Sequence, residues 1–348
     1  MSLRDSLLWP LTLPYGLVVR ARAQAYRRGV FRPKRIDGVV ISVGNLTVGG
    51  TGKTPMVLWL AQRLLAEGKK VGILTRGYRG MVAQAGEKQK TGANSESTSD
   101  EVRLLRARLG EGVAFGVGAD RFAKGRELAR NDVDWFVLDD GFQHRQLARD
   151  VDIVLIDATN PFGGKHLLPA GRLREPRSAL ERADIIVITR SDHAPAIEAA
   201  VSQDSAAPIF YAKPHLDSIQ AVNEFGAEAE SLPDVQKKKL FAFCGIGNPS
   251  AFLADLRDWG FPVVGHAFFR DHHRYTQQDV AAIEGEARRR GAEALICTEK
   301  DAFNLDGVRW NELPALYCRI SLGITNEEEF WRAIIVKSKS GSGLSNKS

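Results

Sequence analysis

The chain has 348 residues, 44% hydrophobic and 26% charged, a globular balance in a length sufficient for more than one core. Cys244, Cys297 and Cys318 are widely spaced and supply neither a disulfide framework nor a paired-thiolate metal site, and no run of eighteen apolar residues marks a spanning helix. The net charge of +6 is confined: eight basic residues against Asp5 give residues 1–36 a charge of +7, leaving −1 for the rest, so the body lacks the basic footprint of a nucleic-acid binder.

Residues 7–19, LLWPLTLPYGLVV, are apolar except for Thr12, and a basic stretch without acids follows to residue 36. The apolar run is too short to cross a bilayer, and Pro10 and Pro14 interrupt it. A cleaved signal fits poorly, because Arg4 cancels Asp5 in the leading region and arginines surround Ala21-Arg22-Ala23. Two readings stay open, an interfacial anchor whose arginines meet anionic headgroups and a core helix with a solvated basic face; the adjacency of apolar and basic residues favours the anchor.

From residue 39 onward short apolar strands alternate with amphipathic stretches. VVISV (39–43), KVGILT (70–75), WFVLD (135–139), DIVLID (152–157) and DIIVIT (184–189) read as strands, with helices at 53–67 and 100–109. This alternation predicts an α/β fold of the P-loop NTPase type, a doubly wound and mainly parallel sheet. Residues 81–98 read as a loop. A second set, LFAFCGIG (240–247), PVVGHAF (262–268), ALICTE (294–299) and ALYCRISL (315–322), predicts a smaller α/β domain. The chain thus divides into an amphipathic membrane-associating segment (1–36), a nucleotide-binding domain (37–211), a linker (212–238), the smaller domain (239–335) and a disordered tail (336–348).

The strongest motif is TVGGTGKT, Thr47-Val48-Gly49-Gly50-Thr51-Gly52-Lys53-Thr54, directly after a strand and before a helix. Gly49 and Gly50 let backbone N–H groups close around phosphate, Lys53 neutralises the β- and γ-phosphates, and Thr54 offers its hydroxyl to Mg²⁺. Thr47 stands where the P-loop pattern has its first glycine. WFVLDDG then places Asp139 and Asp140 at a strand's C-terminal edge, where alternation lets one carboxylate hold the metal while the other faces elsewhere. After another strand, Thr189-Arg190-Ser191-Asp192 is a poor match to a guanine-reading signature, and supports a rival reading as a membrane-associated P-loop ATPase or GTPase switch acting on a protein partner.

Several strings then fall in one order: VGNLTVGGTGKTP (43–55), LTRGYRG (74–80), DDGFQH (139–144), LLPAGRLREP (167–176), FRDHHRY (269–275) and TEKDA (298–302). Together they resemble the tetraacyldisaccharide 4'-kinase family of lipid A synthesis, over roughly residues 5–330. The resemblance implies transfer of the γ-phosphoryl of ATP, with Mg²⁺, to the 4'-hydroxyl of tetraacyldisaccharide 1-phosphate, giving lipid IVA. It also implies a monotopic protein on the cytoplasmic face of the inner membrane, with two α/β domains joined by a β-strand linker. A monomer is expected.

Carried over by motif, Lys53 and Thr54 take the P-loop roles, Asp139 and Asp140 those of the paired carboxylates, and Glu175 that of the LREP glutamate near Mg²⁺. Asp100 matches the family's acceptor-activating aspartate, although GDEP is here Ser99-Asp100-Glu101-Val102; Thr98 and Glu101 also have capping-box spacing. His272 matches a second-domain histidine that partners it across the cleft. The catalytic set expected is therefore Asp100, His272, Lys53 and Asp140, with metal at Thr54, Asp139 and Glu175. Two alternatives stay open: His266, His272 and His273 as a metal cluster, and Arg76, Arg79, Arg172 and Arg174 as either a clamp on the acceptor's 1-phosphate or solvated surface. Cys244 reads as core.

Overall fold

The computed structural model describes residues 3–77, 99–222 and 232–341. The chain opens with α1 (Leu3–Arg27), then β1 (Val39–Asn45), α2 (Lys53–Ala66), β2 (Val71–Thr75), α3 (Asp100–Leu109), β3 (Val113–Val117), α4 (Arg121–Ala129), β4 (Trp135–Asp139) and β5 (Val151–Asp157). There follow β6 (Ile185–Thr189), α5 (Pro195–Val201), β7 (Ile209–Ala221), α6 (Leu232–Val235), β8 (Leu240–Cys244), α7 (Pro249–Asp258), β9 (Val263–Phe268) and α8 (Gln277–Arg289). The last elements are β10 (Ala294–Thr298), α9 (Glu299–Ala302), β11 (Ala315–Ile324) and α10 (Glu327–Gly341).

Two compact units emerge. The first gathers Met1–Arg76, Leu109–Pro214 and Leu322–Ser348; the second gathers Gly77–Arg108 and His215–Ser321. Residues 1–36 fall within the first unit and the expected linker is split between the two, and the bounds shift at two further places. Residues 100–108 go with the second unit because Arg108 pairs with Glu299 at 2.9 Å and Arg103 donates to the Phe303 carbonyl at 2.7 Å. Helix α10 goes with the first because Phe330 packs on Trp59 and Phe210, with ring centroids 5.3 and 5.1 Å away.

In the first unit the strand order is β3-β2-β4-β1-β5-β6-β7, with neighbouring strands paired in parallel. Strand β1 lies between β4 and β5, and the order reverses there, so its C-terminal end is the switch point at which open α/β sheets bind ligands. Both β1 and β5 are buried along their whole length, which explains their largely apolar sequences. The second unit repeats the scheme on a smaller scale as β11-β10-β8-β9, also parallel.

Three expectations change. Strand β3, VAFGV, was hidden by its short, glycine-broken run. Strand β7 occupies the first half of the expected linker; its inward residues alternate with Lys213, His215 and Asp217, which mimic a loop in sequence. The tail is helical as far as residue 341, where Ser338 is buried and bonds the Ile335 carbonyl at 2.8 Å. Residues 342–348, the 81–98 stretch, Thr98 and Arg79 lie outside the described residues.

Helix α1 runs through Pro10 and Pro14 rather than breaking at them. Both prolines are on its exposed side, where water can satisfy the carbonyls that their rings release. The helix docks by small and polar residues. Thr12 and Gly16 are buried, Tyr15 donates to the Arg174 carbonyl at 2.9 Å, and Trp9 meets His166 edge-on. Its apolar residues point the other way, with Leu13, Leu17 and Val18 exposed by 62, 65 and 67%. Among the described residues no helix is long and apolar enough to cross a membrane.

Candidate active site

The phosphate loop joins the end of β1 to the start of α2. Gly49 and Gly52 have φ of 117° and 87°, the left-handed region that glycine enters without strain, whereas Gly50 is an exposed member of the loop. Thr47 lies outside that region and makes an extended bridge to Leu173, so nothing at this position requires the glycine of the usual pattern. Its carbonyl accepts from Asn45 at 2.8 Å. Val48 and Arg172 exchange two bonds, 2.8 Å from the Val48 N–H and 3.1 Å from Arg172 Nε, and the Thr51 carbonyl accepts from Thr189 at 3.1 Å. The loop is thus tied down on both flanks. Gly52 precedes α2 and has no side chain to cap it, and no acid occupies the first turn. That helix start suits an anion.

Lys53, the first residue of α2, reaches Asn45 Oδ1 at 3.3 Å and Asp140 at 3.6 Å. Asp140 also receives Arg174 on both oxygens, at 2.8 and 2.7 Å. Burial pushes the pKa of Asp140 up, but Lys53 and Arg174 outweigh it and hold the carboxyl below its ordinary range. The two aspartates do diverge, though not by strand alternation. Strand β4 ends at Asp139, and Asp140 turns away with φ 49°. Asp139 is buried and accepts from Thr75 at 3.0 Å.

The loop after Asp140 is pressed against β1. A Cβ on Gly44 would come within 2.6 Å of the Phe142 backbone nitrogen, and one on Gly141 within 2.4 Å of Ser42 Oγ. Gln143 bridges Arg174 and the Asn45 carbonyl at 3.1 and 3.0 Å. His144 sits in a basic neighbourhood; burial, then Arg121, Arg149 and Arg22, push its pKa down to about 4.

Thr54 and Asp139 are hard oxygen donors of the kind Mg²⁺ takes, one at the start of α2 and one at the end of β4. Among the described residues no group of three His, Cys, Asp or Glu side chains could hold an ion. Glu175, expected near Mg²⁺, is buried and receives Arg182 on both oxygens, at 2.9 and 3.2 Å. Among the expected clamp arginines, Arg172 and Arg174 brace the phosphate loop and Asp140, and Arg76 is exposed.

In the second unit Asp100 begins α3. Ser99 Oγ accepts the Val102 N–H at 3.4 Å and Asp100 Oδ1 the Glu101 N–H at 3.0 Å. His272 Nδ1 meets both Asp100 oxygens, at 2.9 and 3.0 Å. Asn304 donates to Asp100 at 3.2 Å, while Lys300 stands 3.8 Å from Asp100, 3.3 Å from Glu101 and 3.6 Å from Asp271. The pair is already formed within one compact unit, so its assembly needs no closure of two domains. Burial pushes the pKa of Asp100 up, but the His272 bond and Lys300 outweigh it and hold the carboxyl below its ordinary range. The bond to Asp100, opposed by burial, raises His272.

The other histidines go elsewhere: His273 bonds Asp279 at 3.1 Å and His266 packs on Phe268, so the three do not converge on a metal. In TRSD, Asp192 pairs with Lys213 at 2.6 Å. Cys244 is core. Sequence reasoning missed Asn45, Gln143, Lys300 and Asn304; each stands inside or next to a distinctive string, which was the available signal.

A phosphate loop at the switch point of a doubly wound sheet, with a lysine and paired aspartates at the strand ends, defines a P-loop nucleotide-binding protein. Residues 4–339 match the family described as tetraacyldisaccharide-1-P 4'-kinase. The tetraacyldisaccharide 4'-kinase of Geobacter metallireducens is 40% identical over 310 residues, 87% of this chain and 89% of that protein. That of Desulfotalea psychrophila is 36% identical over 324 residues, covering 90% and 91%. A crystal structure of LpxK from Aquifex aeolicus, described as an "apo" form in complex with ATP, superposes with a TM-score of 0.69 at 28% identity, over 96% of this chain and 99% of that one. The chain belongs to the tetraacyldisaccharide-1-P 4'-kinase family, and is accordingly a phosphotransferase with an alcohol acceptor.

Proposed function

We propose that the chain transfers the γ-phosphoryl of ATP to the 4'-hydroxyl of tetraacyldisaccharide 1-phosphate, giving lipid IVA, with the side chains described above in named roles. The observation that carries this reading is the presence on one chain of an intact phosphate loop and of a buried carboxylate, Asp100, hydrogen-bonded to a histidine. Lys53, Arg174 and the N-terminus of α2 offset charge on the phosphates. Thr54 and Asp139 would hold Mg²⁺, which when bound neutralises β- and γ-phosphate charge. Asp140 keeps Lys53 and Arg174 in place. Asp100 accepts the proton of the attacking hydroxyl, and His272 orients Asp100 and shares its charge. Asn304 and Lys300 favour the ionised carboxylate.

The acceptor is a lipid, and α1 offers it a surface. Trp9, Leu11, Leu13, Leu17 and Val18 enter the headgroup boundary while the exposed Arg20, Arg28 and Arg32 meet anionic phosphates. This is the attachment of a monomer to the cytoplasmic face of the inner membrane. Flotation with anionic vesicles tests it: Leu13→Asp with Leu17→Asp should lower bound protein roughly tenfold at unchanged thermal stability. Equal binding by the variant would count against the anchor.

The reaction itself is tested by incubating γ-radiolabelled ATP with tetraacyldisaccharide 1-phosphate in micelles. A labelled lipid is expected, absent with Lys53→Ala. Free phosphate without labelled lipid would favour the switch-type reading.

A further inference from the structure

The string TEKDA has only part of a role in the site. Its lysine stands 3.8 Å from Asp100; its aspartate, Asp301, is 1% exposed. Asp301 Oδ1 accepts the Gly245 N–H at 2.7 Å and the Tyr275 hydroxyl at 2.8 Å, and Oδ2 accepts the Thr298 hydroxyl. On the other face of the same residue, the Gly245 carbonyl accepts the His272 N–H at 3.0 Å.

His272 has φ 61°, a left-handed conformation that a histidine holds only when its surroundings impose it. The loop that carries it is seated on Gly245. A Cβ there would stand 2.8 Å from the Arg270 carbonyl oxygen and 3.0 Å from His273 Cβ. At the loop's far end the Tyr275 N–H bonds the Asn304 carbonyl at 3.2 Å, and the Asn304 N–H bonds the Asp301 carbonyl at 2.8 Å. Asp301 therefore ties together the end of β8, both ends of the His272 loop and the asparagine that touches Asp100.

We infer that Asp301 is a positioning residue for phosphoryl transfer: through the Gly245 peptide it holds His272 in the left-handed turn that aims Nδ1 at Asp100. The inference rests on the reading of Asp100 and His272 as the proton-accepting pair. Asp301 touches neither reactant. It acts by keeping the imidazole within bonding distance of the carboxylate, where small displacements are costly to rate.

The test is a double-mutant cycle on the full chain, in the micellar transfer assay. Asp301→Ala should lower kcat roughly tenfold with KM for ATP unchanged. Asp301→Asn keeps a carbonyl acceptor for Gly245 and Tyr275, and should restore most of the loss. In a His272→Ala background neither substitution should lower kcat further. Gly245→Ala keeps the Asp301 carboxylate, with the new methyl 3.4 Å from its Oδ1, and displaces the loop through Arg270 and His273; it should show the same dependence on His272, and covers the case in which Asp301→Ala does not fold. Equal losses with and without His272, or an Asn variant as impaired as Ala, would overturn the inference. Full turnover by His272→Ala would instead remove the parent reading of the pair.

Discussion

The two units each hold a lysine among carboxylates, but their surroundings have opposite sign. Around Lys53 and Asp140 the excess is cationic: Arg174 pairs with Asp140, and burial, joined by Arg121, Arg149 and Arg22, pushes His144 down to about 4. Around Lys300 the excess is anionic, with Asp100, Glu101 and Asp271 all in reach, and His272 is raised. One cluster is prepared to receive a polyphosphate. The other is prepared to handle a proton. The same residue types take different work according to which charge is in surplus.

The sharpest test of that contrast is the two lysines. Lys53→Ala removes charge from the phosphate site and should lower kcat/KM by on the order of a thousandfold in the radiolabel assay. Lys300→Ala leaves phosphate binding intact and should lower kcat only about tenfold. Comparable losses would break the comparison. Next in size, Asp100→Asn should lower kcat on the order of a hundredfold while calorimetric ATP affinity stays within about twofold.

Kinetic pH dependence is a subtler probe. Below the raised pKa of His272 the imidazolium neutralises Asp100 and weakens it as a base. Turnover should therefore climb as pH passes through a value above 6.5, and His272→Ala should lack that limb.

The smallest effect is on stability, where the two histidines have opposite signs. His272, raised on folding, contributes stability that is full below 6.5 and lost as pH rises through its folded pKa. His144, lowered on folding, is protonated in the unfolded chain first, so stability falls as pH drops from 6.5 toward about 4. Urea midpoints over that range should decline less steeply in His144→Gln. An unchanged slope would show that His144 is not held neutral by its surroundings.

Much of this was legible beforehand. Helices α2 and α3 follow from their amphipathic stretches, and the strands around the phosphate loop from short, largely apolar runs, because strands buried on both faces leave little choice of residue. β7 was not legible: a strand with alternate polar residues reads as a linker until its partners are known. In the site, Lys53 and Asp140 could be paired from motif order, whereas Glu175 could not be assigned to Arg182, seven residues on in an irregular segment. The Asp100–His272 contact spans 172 positions and crosses the expected domain boundary, so spacing alone placed its partners in separate bodies.

Helix α1 holds to its unit by a hydroxyl, a glycine and a tyrosine, and leaves its leucines outward. A chain attached to lipid by that face would meet its acceptor by lateral diffusion within a plane. Its apparent rate would then scale with the mole fraction of acceptor at the surface rather than with bulk concentration, and diluting the substrate with inert detergent would slow it as an inhibitor does.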